Sequence, residues 1–185
     1  MALRQILTEP NQILREKSLS VEIVDNDIQK LMDDMLETMY AAPGIGLAAI
    51  QVGVPKRIIV VDIGWRNKSE STDDEKQVAK KNPIYFVNPE IITKSTNNST
   101  YEEGCLSVPG QFAEIDRPNK CHVKYLDYHG QPKEIKAEGM LATCIQHEID
   151  HLEGILFIDY LSKLKKSMII KKLSKQKKAI ERIVV

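Results

Sequence analysis

The sequence predicts an α+β fold: antiparallel β-sheets packed around a central helix that carries His147-Glu148-Ile149-Asp150-His151, with one helix before them and a basic helix after. Three observations predict it. Apolar residues recur at helical spacing near both ends of the chain, β-branched runs cluster between those ends, and strands gathered in one block argue against alternating β-α-β units. The 185 residues, 42% apolar and 28% charged, are enough for one domain with its own core, taken here as 1–185.

Taken in order, residues 26–41 place Ile28, Leu31, Met32, Met35, Leu36 and Met39 on one helical face with acids opposite, and Pro43-Gly44 stop the helix. Strands are predicted at 57–63, 84–87, 91–93 and 120–128, and His129-Gly130 turn the last into a partner strand at 131–137. Between the first two strands, residues 64–82 are polar and break the pattern, as a long surface insertion would. Helical spacing returns at 140–152 and again from about 160 to 183, where Leu161, Leu164 and Met168 form one stripe.

Charge and composition exclude several function classes. Twenty-six basic residues balance twenty-six acidic ones, so no overall field recruits nucleic acid or membrane. Apolar runs are far shorter than the ~20 residues of a membrane span, and the N-terminus lacks the apolar core of a secretory signal. Three cysteines, Cys105, Cys121 and Cys144, are too sparse and odd in number for a disulfide framework. A cytoplasmic location is the expectation, with thiols free to pack or to bind metal. With no heptad pattern, a monomer is the simplest assembly.

His147 to His151 fits H-E-x-x-H. In a helix, residues four apart stand one turn above each other, so both imidazoles reach one metal ion. Glu148 sits about 100° round from His147, placed to handle the protons of a water on that metal without ligating it. Flanking Ile145, Ile149, Leu152, Ile155 and Leu156 mark a largely buried helix, where idle polar groups would each cost about 1–3 kcal/mol. A catalytic site needs a third protein ligand. Cys144 stands seven residues from His151, about 10 Å along the axis, and reads as a small apolar residue lining the pocket. The position where a metzincin keeps its third histidine is Phe157, no histidine follows, and the later acids are few. Cys121 lies inside a strand pattern and reads as structural. Cys105, in Glu103-Gly104-Cys105-Leu106-Ser107, is left as the third ligand, on an exposed turn or strand edge.

Gly44-Ile45-Gly46-Leu47-Ala48-Ala49 matches a dinucleotide fingerprint in letters, but it follows a helix and leads into a strand, the reverse of what that fold requires. It reads either as a tight helix-to-strand connection or as a place where backbone approaches substrate, with Gln51 offering an amide donor.

Together, G-I-G-L-A-A-I-Q at 44–51, E-G-C-L-S at 103–107 and Q-H-E-I-D-H at 146–151 closely resemble the three signature motifs of the peptide deformylases, intact and in order across more than half the chain. The resemblance implies that Cys105, His147 and His151 bind the metal, that Glu148 is the general base, and that Gln51 and the backbone N–H of Leu106 bind the oxyanion. It implies removal of the formyl group from N-formylmethionine of nascent chains, with formate as product. Gly46 and Gly104 would leave room for the peptide backbone, and Ile45, Met140, Thr143 and Cys144 match the family's methionine pocket. Tyr101 stands where an aliphatic residue is common. One divalent ion is expected. A cysteine and two histidines suit zinc, iron or nickel by ligand type; the family resemblance implies Fe2+, with Zn2+, Ni2+ or Co2+ able to take its place.

Two departures stand out. The 64–82 insertion is longer than in compact bacterial members. From Leu161 onward, eight lysines and Arg182 face one acid, Glu181, a net of +8 that leaves the rest of the chain at −8. Similar deformylases of one bacterial class use a C-terminal helix to contact the ribosome, which this charge would suit; a solvated helix face packed by its leucine stripe is the other reading. Two rivals to the deformylase reading are an endopeptidase using the same helix with an acid as third ligand, and a closed structural zinc site.

Overall fold

The computed structural model describes residues 2–64 and 81–183, with side chains described as far as 176. Residues 65–80, most of the predicted insertion, therefore lie outside the described residues.

Helix α1 spans Asn26–Ala41, as its apolar spacing predicts, and Asp25 caps it by accepting the Ile28 N–H at 2.9 Å. The chain then runs through β1 (Gly46–Ala48), a 3-10 turn at Ala49–Val52, and β2 (Ile58–Val61). Strand β3 (Ile84–Lys94) joins what the sequence predicts as two strands. The break in the apolar pattern is a bulge. Asn88 takes a left-handed φ of 52°, its side chain pairs with the Val21 backbone, and the register with the neighbouring strand at Lys120–Leu126 shifts between Val87 and Glu90.

Strands β4 (Asn98–Cys105) and β5 (Val108–Pro118) form a two-stranded ribbon outside the predicted elements. Polar and half-exposed for most of its length, with Pro109 and Gly110 in β5, it lacks the apolar runs by which strands are recognised. Strands β6 (Lys120–Leu126) and β7 (Pro132–Glu138) flank a turn in which Asp127 accepts the N–H groups of His129 and Gln131, each at 2.9 Å. The main sheet has the order β1-β2-β3-β6-β7, antiparallel throughout.

Helix α2 (Gly139–Leu152) packs on one face of that sheet and α1 on the other. All four residues of β2 are therefore fully buried: Ile59 and Val61 meet the α2 side, while Ile58 and Val60 meet Met32, Met35 and Met39 of α1.

The basic helix, α3 (Lys163–Ile183), differs from expectation in start and phase. Residues 157–160 form a 3-10 turn and Leu161 is extended, so Leu161 cannot share a helical stripe with Leu164 and Met168. Those two face solvent, 72% and 63% exposed, and α3 docks through Ile169, Ile170 and Leu173 against Val108, Ile115 and Phe157. Ile155, predicted on the buried helix, lies beyond the end of α2 and is part-exposed. Among the described residues no helix is long and apolar enough to cross a membrane.

Candidate active site

Gly139, at φ 56°, turns the chain from β7 into α2, and the helical repeat then stacks His147 and His151 on one buried face. Their rings meet edge to face, centroids 5.0 Å apart. Strand β4 ends at Cys105 beside them, with its Sγ 3.2 Å from His151 Nε2. The donor atoms of Cys105, His147 and His151 all lie within 4.8 Å of one another, the one such group among the described residues. A thiol and two imidazoles at this spacing suit a divalent transition metal. Cys121 is buried in β6 opposite Ala137, away from this group. Cys144 is buried with its Sγ 3.6 Å from the Ile45 carbonyl, and burial pushes its thiol well up, so it stays protonated as an apolar lining residue.

Electrostatics around the pair come from residues outside the sequence prediction. Glu103 accepts from His147 Nδ1 at 2.7 Å, which leaves Nε2 to face the shared site. Arg117 of β5, 4% exposed, grips both oxygens of Glu103 and reaches Asp150 Oδ2 at 2.7 Å, under the ring of Tyr160. Burial alone would raise the Glu103 carboxyl, but the hydrogen bonds from His147 and Arg117 outweigh it and hold it low. Burial, then the neighbouring His147, keeps His151 well below its usual range and therefore neutral. Burial also pushes Glu148 up to about 7, and its Oε2 is buried without a hydrogen-bond partner among the described residues. Glu103 stood in view in the E-G-C-L-S segment, whereas nothing local marked Arg117.

Gln51 is buried at the end of the small-residue loop. Its Oε1 accepts the Ala48 N–H at 2.8 Å, which turns its Nε2 toward Ser107 Oγ (3.1 Å) and Cys105 Sγ (3.5 Å). A cavity of about 580 Å³ opens over this group, and Ile45, Gly46, Gln51, Gly104, Leu106, Met140, Thr143, Cys144 and Glu148 all border it; His151 lies beneath. Tyr101 and Phe112 form part of its rim. A Cβ at Gly46 would overlap the Glu148 carboxylate, and one at Gly104 would run into the Phe112 ring. Close approach demands glycine at Gly46, whereas at Gly104 the exposed Phe112 ring has room to swing aside. A more open hollow of about 460 Å³, bordered by Asn88, Lys124, Tyr125 and Glu134, holds no such ligand set.

This arrangement can bind a cation, accept a proton at a buried carboxylate and present an amide donor to one small volume, which is the equipment of metal-assisted amide hydrolysis. Comparison with known proteins points the same way. The family model for polypeptide deformylase matches residues 3–167. The peptide deformylase of Pelagibacter ubique is 65% identical over 185 residues, covering all of both chains, and that of Maricaulis maris is 55% identical over 182 residues, covering 98% of each. Among solved structures, peptide deformylase from Ehrlichia chaffeensis in complex with actinonin is 46% identical and superposes with a TM-score of 0.85, covering 95% of this chain and 98% of that one.

Proposed function

The chain belongs to the polypeptide deformylase family, and from that premise we propose that Cys105, His147 and His151 hold its catalytic metal while Glu148 moves the protons. It is a hydrolase that removes the N-formyl group from N-formylmethionine of nascent polypeptides and releases formate. The observation that carries the residue assignment is the convergence of those three donors within 4.8 Å, beside a buried carboxylate oxygen with no partner among the described residues.

A divalent metal, when bound, supplies a nucleophilic water near neutral pH and a Lewis acid for the formyl oxygen. The remaining work falls to side chains of this protein. Glu148 takes a proton from water at its carboxylate and delivers one to the departing amine nitrogen as the C–N bond breaks. Gln51 Nε2 and the Leu106 N–H donate to the oxygen on which negative charge grows. Glu103 holds His147 in the tautomer that leaves its other nitrogen free. Ile45, Met140, Thr143 and Cys144 receive the methionine side chain, and Gly46 and Gly104 let the peptide backbone lie close. A neutral formyl amide in a partly apolar cavity needs no charged anchor.

Fe2+ is the proposed metal, replaceable by Zn2+, Ni2+ or Co2+, and elemental analysis of anaerobically purified protein tests it. The proposed setting is the cytoplasm, as a monomer not anchored to membrane. The exposed Lys163, Lys165, Lys171 and Lys172 of α3 support contact with ribosomal RNA phosphates. Co-sedimentation against salt, with and without residues 165–185, checks this; no change on truncation retires it.

The decisive experiment assays anaerobic protein on a formyl-methionyl peptide. Wild type is expected to release formate. Glu148→Gln is expected to keep its metal and lose turnover by roughly 10²–10⁴, and Cys105→Ala to lose the metal itself. Stoichiometric metal with no formate from the wild type overturns the reading.

A further inference from the structure

The N-terminal segment 7–18 has no part in the chemistry above, yet its backbone meets two of the three motif segments and the residue that follows the third. Leu7 N–H donates to the Gln51 carbonyl at 2.8 Å, Glu9 N–H to the Ser107 carbonyl at 2.9 Å, and Ser18 N–H to the Leu152 carbonyl at 2.8 Å. These three acceptors sit at the proposed oxyanion donor, two residues past Cys105, and one residue past His151. They come from the 3-10 turn after β1, the turn after β4 and the end of α2, three elements far apart in sequence.

The segment is itself anchored. Leu14 is fully buried, Asn11 caps its short 3-10 turn, and Arg15 pairs with Glu9 at 3.0 Å and with Asp159 at 2.6 Å. At Gly154 a Cβ would overlap the Arg15 carbonyl, so the 3-10 turn lies directly against the residues that follow α2. Such a piece is stiff enough to transmit position.

We infer that residues 7–18 are a positioning strap for the hydrolysis, fixing the register between Gln51, Cys105 and the end of α2 through those three backbone hydrogen bonds. The inference rests on the role proposed for Gln51. Gln51 is held from two sides, by Ser107 Oγ on its amide and by Leu7 on its carbonyl, and Glu9 holds Ser107 in turn. A donor to a developing oxyanion works only if it is already in place, and a misplacement of about 1 Å can cost about 10²-fold in rate.

The test is a double-mutant cycle read as kcat and KM separately, with metal content measured for each variant. Leu7→Pro deletes the N–H that holds the Gln51 carbonyl. It is expected to lower kcat about tenfold with KM and metal unchanged, since the Gln51 donor that this bond positions acts in the transition state alone. In a Gln51→Ala background, itself down by about 10²–10³, the same substitution is expected to cost less than about twofold. A purely structural segment would lower kcat equally in both backgrounds. Arg15→Gln repeats the cycle without a proline, by cutting the ion pairs to Glu9 and Asp159, and serves where Leu7→Pro does not fold. Leu7→Ala keeps the N–H; if its kcat loss equals that of Leu7→Pro, the effect is side-chain packing and the strap is overturned. Gln51→Ala with full kcat overturns the oxyanion role and the strap with it. Normal kcat in both Leu7→Pro and Arg15→Gln, with Gln51→Ala impaired, overturns the strap alone.

Discussion

Helices α2 and α3 are both rich in polar side chains, and the fold treats them in opposite ways. In α2, Thr143, Gln146, His147, Glu148 and His151 are all buried, and the fold partners three of them: Glu103 receives His147, the Pro118 carbonyl receives Gln146, and Cys105 lies against His151, while Glu148 Oε2 and Thr143 Oγ1 face the site without a hydrogen-bond partner among the described residues. In α3, Lys163, Lys165, Lys171, Lys172 and Lys175 stand in water, and a short apolar face, Ile169, Ile170 and Leu173, attaches the helix. Burying a polar group is costly unless it is paired, so a helix that buries five recruits partners from several elements, whereas a solvated helix needs only one greasy contact. Substitutions in the partners of α2 should accordingly reach stability, metal and turnover together, and those in α3 stability alone.

The sharpest way to break this contrast is Glu103→Gln. It removes the charge that Arg117 and His147 share, leaving Arg117 buried with Asp150. Expected losses are about 3–5 kcal/mol of stability and about 10–100-fold in metal affinity, read by denaturant unfolding and competition with a chelator. Gly46→Ala comes next. Its Cβ would overlap the Glu148 carboxylate and come within 2.9 Å of Cys144 Sγ, so turnover should fall about a hundredfold while metal content is retained.

On the other side of the comparison, Leu173→Ala strips α3 of its most buried contact. A cost of about 2 kcal/mol is expected, with kcat on a short formyl peptide unchanged; a lost kcat would mean that α3 supports the site after all. The smallest effect is a matter of pH. Burial favours the neutral form of Asp159, but Lys166, the Leu156 N–H and Arg15 outweigh it and hold its carboxyl below the usual range. Its contribution is therefore present above the ordinary carboxylate pKa of about 4 and lost as pH falls through the depressed value. The Tm gap between wild type and Asp159→Asn should be open at neutral pH and close under acid; a gap that persists there removes the ion pairs from the account.

The two helices also differ in how legible they were. Both boundaries of α2 agree with expectation to within a residue, because its apolar spacing and its H-E-x-x-H lie in one contiguous stretch. For α3, a stripe of Leu161, Leu164 and Met168 looked plausible until the extended backbone at Leu161 reset the phase. The β4–β5 ribbon escaped prediction because its stability comes from pairing with itself and from neighbours, not from an apolar run. Elimination among candidate ligands leaves Cys105, yet its distance to His151 depends on where β4 ends.

Sequence by itself determined the helices with clean periodicity, the apolar run of β2, the helical spacing of the two histidines and the three motifs that identify the family. Each of these is encoded within a few neighbouring residues, where backbone geometry converts spacing into a shared face. Only the tertiary structure decided that Glu103 orients His147, that Arg117 locks Glu103, that Gln51 turns its amide toward Cys105, and that the backbone of residues 7–18 bonds to Gln51, Ser107 and Leu152. Those are pairings between groups tens of residues apart. Their partners are chosen by the cost of leaving a buried polar group unpaired, and no local pattern records that choice.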